Sequence, residues 1–253
     1  MAVYTERSEK RGLSSLAIRI VGCLAMTWGA AQQILPKSSV DWATYMLWFS
    51  YTIFAFLLAE GINQTISKRL YFRRLLLFAV LSEVPYDLLF TGNYWDTSRQ
   101  SVMCTLLLGF IVLCAAQQVK KKFDNMILTG LTLAVLGGGA TWLAWRFGLE
   151  MGKYGILLII FFYISLNVTY TRLMELIFFV LFLLYVAADN YFNIMIDDLY
   201  YSIPDKSFAL LAVIVTWFYS GKRGPNTLLL KTSFYLYYPV MLLTLWGIGR
   251  AIG

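Results

Sequence analysis

The sequence predicts an all-α, polytopic integral membrane protein of about nine transmembrane helices. Three observations carry that prediction. The 253-residue chain is 59% hydrophobic and has a mean hydropathy of +0.66. Charged residues make up 14%, against roughly 25% in soluble domains. Apolar runs near the ~20 residues that a spanning helix needs recur along the whole chain, separated by short polar segments.

The polar start "MAVYTERSEKRG" has no clear cleavage site after the run that follows it, so Leu16–Leu35 reads as a retained first helix and not a signal peptide. The second run, Trp42–Ile62, carries Glu60 near its end. The third, Leu75–Phe90, follows the basic "KRLYFRR" and contains Glu83, Pro85 and Asp87. Val102–Gln118 is closed by three lysines, and Ile127–Phe147 contains "GGGA" at 137–140, small enough to admit a neighbouring helix. Tyr154–Leu166, Leu173–Ala188, Phe208–Tyr219 and Thr232–Ile252 complete the set. The sixth and eighth runs are short, which fits re-entrant, tilted or flank-extended segments. Residues 1–253 form a single transmembrane domain in this reading, with 1–15 a cytoplasmic segment. The stretch 189–207, "DNYFNIMIDDLYYSIPDKS", mixes aromatics with acids and reads as an extracytoplasmic interfacial loop.

Basic residues set the orientation. Of 21 lysines and arginines, fourteen lie at 7–11, 68–74, 120–122, 172, 222–223 and 231, and six lie in the alternate segments, with Arg19 inside the first run. That bias predicts the N-terminus inside and the C-terminus outside, in a multi-pass protein of the bacterial cytoplasmic (inner) membrane. The net charge of +7 is spread as topology signals and not gathered on one segment, which argues against nucleic acid as a partner. The chain has no histidine, which excludes Ser-His-Asp triads and His-ligated metals within it. Cys23, Cys104 and Cys114 all sit inside apolar runs and imply no disulfide framework.

The candidate site follows from the acids in apolar context. A carboxylate in hydrocarbon costs several kcal/mol, on the order of 3 or more by most scales. Glu83 and Asp87 stand four residues apart and share one helix face, while Pro85 between them removes a backbone donor. Two arrangements satisfy them: a polar cavity lined by both, or a helix end with Asp87 in water and Glu83 paired to Arg146 or Arg250. Glu60 and Arg19 are similarly placed to pair across neighbouring helices. The basic segments containing Arg73, Arg74, Lys222 and Arg223 serve topology, or form a mouth that attracts a phosphate-bearing molecule.

Several ordered blocks resemble the TraX family of polytopic bacterial membrane proteins, related to integral-membrane acyltransferases. They are "IFAFLLAEGI" (53–62), "FRRLLLFAVLSEVPYDLLF" (72–90), "TLLLG" (105–109) and "FYSGKRG" with "FYLYYPVMLL" (218–243). The resemblance implies acetyl-CoA as cofactor, an amine or hydroxyl acceptor, and site roles for Glu60, Glu83, Asp87, Lys222, Arg223, Tyr238 and Pro239. It also exposes departures. Gly29-Ala30 replaces the family's Asp-His, Trp48 an arginine, Ser101 an asparagine and Met241 a histidine. Three functions therefore stand open. One is a silent relative that binds a peptide, lipid or membrane partner; one is an acetyltransferase working with carboxylates alone. The third, a small transporter or channel subunit, lacks the inverted repeat such folds often show.

Overall fold

The computed structural model describes residues 12–35, 42–167, 172–185, 191–196, 199–222 and 227–252. Among them are nine α-helices: α1 (Ser15–Ala31), α2 (Trp42–Gln64), α3 (Lys68–Phe90), α4 (Val102–Phe123), α5 (Met126–Arg146), α6 (Gly152–Asn167), α7 (Arg172–Tyr185), α8 (Phe208–Trp217) and α9 (Leu228–Ile252). Every predicted apolar run is helical. The departures lie at the ends. Helix α3 starts seven residues early, because Ser67 caps it by accepting from the Leu70 N–H. Helix α4 runs on through its lysines to Phe123, where their charge complements the carbonyl end of the helix dipole. Asp124 then stops it in the left-handed region. One segment is not helical: strands β1 (Tyr191–Ile196) and β2 (Leu199–Pro204) pair antiparallel inside the predicted interfacial loop. Their β-branched and aromatic residues favour that pairing over a helix.

Three helical stretches are long and apolar enough to cross a membrane: Tyr45–Gln64, Val102–Phe123 and Met126–Arg146. Helices α6 and α8 are apolar but shorter. The face that α5 leaves exposed carries Ile127, Leu131, Val135, Trp142 and Trp145. Such a stripe is costly in water and neutral against lipid tails.

The chain divides into two compact units, between which α2 passes at Ile53–Phe54. In the first, Leu13 forms a backbone bridge to Tyr219, and the Ser15 N–H donates to the Lys222 carbonyl at 2.9 Å. The Ser50 hydroxyl donates to the Gly22 carbonyl of α1 at 2.8 Å, and the Trp217 indole donates to Glu175 of α7 at 3.0 Å.

In the second unit, α3 packs on α4 and α9, and α4, α5 and α6 pack on one another. Phe78 stacks on Tyr235 to join α3 to α9, and Tyr71 meets Phe110 edge-on between α3 and α4. Close approach of α4 and α6 needs Gly109, where a Cβ would collide with Ile159. Of the predicted glycine run, Gly137 alone is placed this way, against Ile160; Gly138 and Gly139 face open space. Gly109→Leu is therefore expected to force the two helices apart and cost about 1–3 kcal/mol of overpacking. Unfolding of the detergent-solubilised protein by titrated SDS measures it; an unchanged midpoint would mean the helices are not in contact there.

Candidate functional site

Helix α3 is continuous through Pro85, so Glu83 and Asp87 do share one face, as their spacing predicts. That face meets the loop that leads into α4. Ser101 is the N-cap of α4, with extended backbone, yet its own side chain bonds no helical N–H. The cap comes from the neighbouring helix. The Ser101 N–H donates to Glu83 Oε1 at 3.1 Å, and its hydroxyl donates to the same oxygen at 2.6 Å. The Cys104 thiol donates there as well, with Sγ at 3.1 Å, and the Ser82 hydroxyl lies 3.1 Å from that of Ser101. A carboxylate suits this place because the first N–H groups of a helix lack intrahelical acceptors and carry partial positive charge. Neither Arg146 nor Arg250 is the partner of Glu83: Arg146 is exposed and Arg250 lies over the ring of Trp246.

Asp87 holds the other end of the same loop. Its Oδ2 accepts the Asp96 N–H at 2.8 Å, and its backbone carbonyl accepts the N–H groups of Thr91 and Gly92 where α3 ends. The residue is 1% exposed, and its second oxygen, Oδ1, is buried with no hydrogen-bond partner. That corrects the expectation that Asp87 sits in water. The loop is further tied to the turn between α5 and α6: the Gln100 N–H donates to the Gly148 carbonyl at 3.1 Å, and the Glu150 N–H donates to that of Gln100 at 2.9 Å. Gly148 sits at φ +61°, and a Cβ there would run into the Ser98 carbonyl.

Electrostatically this end is acidic. The hydroxyl and N–H of Ser98 hold the Asp96 carboxyl below its ordinary value. Burial holds Glu150 above its ordinary value, opposed by the hydrogen bond that Tyr86 donates to its Oε2 and by the charge of Arg99. Tyr238 of α9 is 4% exposed, within reach of the Val102 backbone and of the charge on Glu150 and Glu83.

Of the candidate residues, the fold thus gathers Glu83, Asp87 and Tyr238. Arg73 is exposed and Arg74 half-buried on the opening turns of α3, at its opposite end. Glu60 is 3% exposed near the end of α2 and accepts the Gln64 amide. Lys222 is exposed in the first compact unit, and Arg223 lies outside the described residues. Sequence reasoning missed Ser101, Cys104, Tyr86 and Glu150. Ser101 had a signal, a serine immediately before an apolar run; the others had none.

An apolar helical assembly with three stretches fit to span a bilayer, and with carboxylates buried between helices, defines an integral membrane protein. The sequence matches the TraX protein family over residues 15–249, nearly the whole chain, and the protein belongs to that family. No curated protein and no solved structure matches it.

Two outcomes follow from this geometry. Glu83→Gln replaces the charged cap with a neutral one and is expected to cost about 1–3 kcal/mol in SDS unfolding; no loss would remove Glu83 as the cap of α4. Glu150→Gln keeps an acceptor for Tyr86 while removing the charge. Because folding raises the Glu150 pKa, its contribution is fully present below the unfolded-state value and is lost as pH rises through the folded one. The variant's stability relative to wild type should therefore grow from mildly acidic toward neutral pH. A difference that is flat with pH would mean Glu150 titrates alike folded and unfolded.

Proposed function

We propose that this TraX-family protein crosses the bacterial cytoplasmic membrane with all nine helices, N-terminus inside and C-terminus outside, and acts by binding without acetyl transfer. The ligand is a peptide, a lipid or a membrane partner that donates an N–H or O–H to the carboxyl end of the second unit. The observation that carries this reading is the bare Oδ1 of Asp87, because a buried acceptor left unpaired costs about 1–3 kcal/mol. A donor from a bound molecule supplies the missing hydrogen bond.

Acyl transfer needs a base in contact with the acceptor and a group to protonate the departing thiolate. Without histidine that base falls to Glu83, whose nearer oxygen is already committed to Ser101 and Cys104. Acetyl-CoA also fits this end poorly. The charged groups lining it are Glu83, Asp87, Asp96 and Glu150, and the cation acting on them is Arg99, so the donor's phosphates would meet net negative charge. One contact favours the second reading, an active acetyltransferase: the Cys104 thiol stands against the Glu83 carboxylate, as a nucleophile stands beside a base.

The test is coenzyme A release from acetyl-CoA by the purified protein, beside native mass spectrometry of the same sample. The expected result is no release above the protein-free rate and a bound molecule of defined mass that is lost in Asp87→Asn. Release that disappears in Cys104→Ala, in a variant that remains folded, would overturn the binding reading in favour of the enzyme.

A further inference from the structure

A second polar cluster lies in the same unit at the opposite end of its helices, where α2, α4 and α6 finish and α3 begins. Its hydrogen bonds run in one direction. Lys68 opens the chain by donating its ammonium to Gln117 Oε1. The Gln117 amide then donates to Asn63 Oδ1 at 3.5 Å. A lysine has protons only to give, so it fixes the orientation of both amides. Turning Gln117 over would set its NH2 against the ammonium, and turning Asn63 alone would set NH2 against NH2. The Asn63 Nδ2 therefore emerges at the end of the chain as a donor, and it is buried with no acceptor.

A parallel chain has the same sense. Lys120 donates to Asn167 Oδ1 at 3.3 Å, and the Asn167 amide donates to the Tyr163 carbonyl at 2.8 Å. The Tyr163 hydroxyl, one turn back on α6 in a residue 2% exposed, is buried with no partner. Cys114, one turn before Gln117 on α4, lies within electrostatic reach of both Lys68 and Tyr163, which puts the two open donors on either side of one helix turn. The carboxylate of this stretch, Glu60, accepts the Gln64 amide. Unlike the carboxyl end, which has an acceptor to spare, this end has donors to spare.

We propose that this cluster is a binding site for a phosphate group, held by the Asn63 amide, the Tyr163 hydroxyl and the Lys68 ammonium. Those donors come from α2, α6 and α3, so the ligand must offer acceptor oxygens in several directions. A tetrahedral phosphate does so, whereas the two oxygens of a carboxylate lie in one plane with their substituent. The positive charge of Lys68 and Lys120, with Lys121 beside Lys68, selects an anion over a neutral carbonyl compound. The phosphate belongs either to an anionic lipid headgroup or to a soluble phosphate ester. The site does not depend on the reading of the carboxyl end.

The full-length protein in nanodiscs tests it, with thermal unfolding and lipid retention as readouts. One arm adds inorganic phosphate to discs of phosphatidylcholine; the other exchanges part of that lipid for phosphatidylglycerol. Stabilisation is expected in one arm, and which arm identifies the source. Tyr163→Phe keeps the ring and removes one donor, so it should weaken binding about tenfold without lowering the unfolding temperature of the unliganded protein. Asn63→Asp sets a carboxylate where the donor stands and should abolish binding. No stabilisation in either arm would overturn the proposal, as would stabilisation of equal size in both variants.

Discussion

The contact on which the second unit depends is a carboxylate of one helix closing the N-terminus of the next. A helix that begins inside an apolar assembly leaves N–H groups that water cannot reach, and each unpaired group carries a penalty of about 1–3 kcal/mol. Helix α4 begins this way, with Ser101 fully buried. Glu83 reaches across from α3 and takes both the N–H and the hydroxyl of that residue. The bond sets where α3 and α4 lie along one another. It also draws in the thiol of Cys104 and brings the serine pair Ser82 and Ser101 together. Everything else at that end, from the Asp87–Asp96 bond to the bridge between Gln100 and Leu149, holds the intervening loop against the same helix start.

The unit is polarised along its length. At the end of α3 the unsatisfied atom is an acceptor, Asp87 Oδ1; at its beginning the unsatisfied atoms are donors, Asn63 Nδ2 and the Tyr163 hydroxyl. In a protein whose middle is apolar and whose lateral surface faces lipid, polar groups are affordable only where a partner can come to them. A partner for the first end must give hydrogen bonds and a partner for the second must take them.

The departures from the family pattern fit into this picture. Where the TraX resemblance leads one to expect Asp-His, Gly29 and Ala30 are buried in α1, and a side chain of either type there would bring charge into packed surroundings. Trp48 stands at the expected arginine, and in the same compact unit the ammonium of Lys206 lies 5.4 Å over its ring. A cation is thus kept near that position from a different segment, held by the face of an aromatic. Ser101, at the expected asparagine, still serves as a polar hub. Met241, at the expected histidine, is 6% exposed and simply fills space in α9.

The sequence alone determined the class of the protein, the nine helical runs and the family, because each rests on local quantities: hydropathy summed over a window, charge at the run boundaries, and ordered motifs. It also placed Glu83 and Asp87 on one face, since helical spacing is a local rule. It did not show the hairpin at 191–204, whose strands are stabilised by pairing with each other. Nor did it show that Glu83 is a cap, since the N–H it satisfies lies eighteen residues away, on another helix. The early start of α3 and the long end of α4 were hidden for a related reason. Serine caps and lysine–dipole attraction extend helices past the point where hydropathy stops. Only the tertiary structure decided which polar atoms are left over, because a spare donor or acceptor exists only once every neighbour has taken its share.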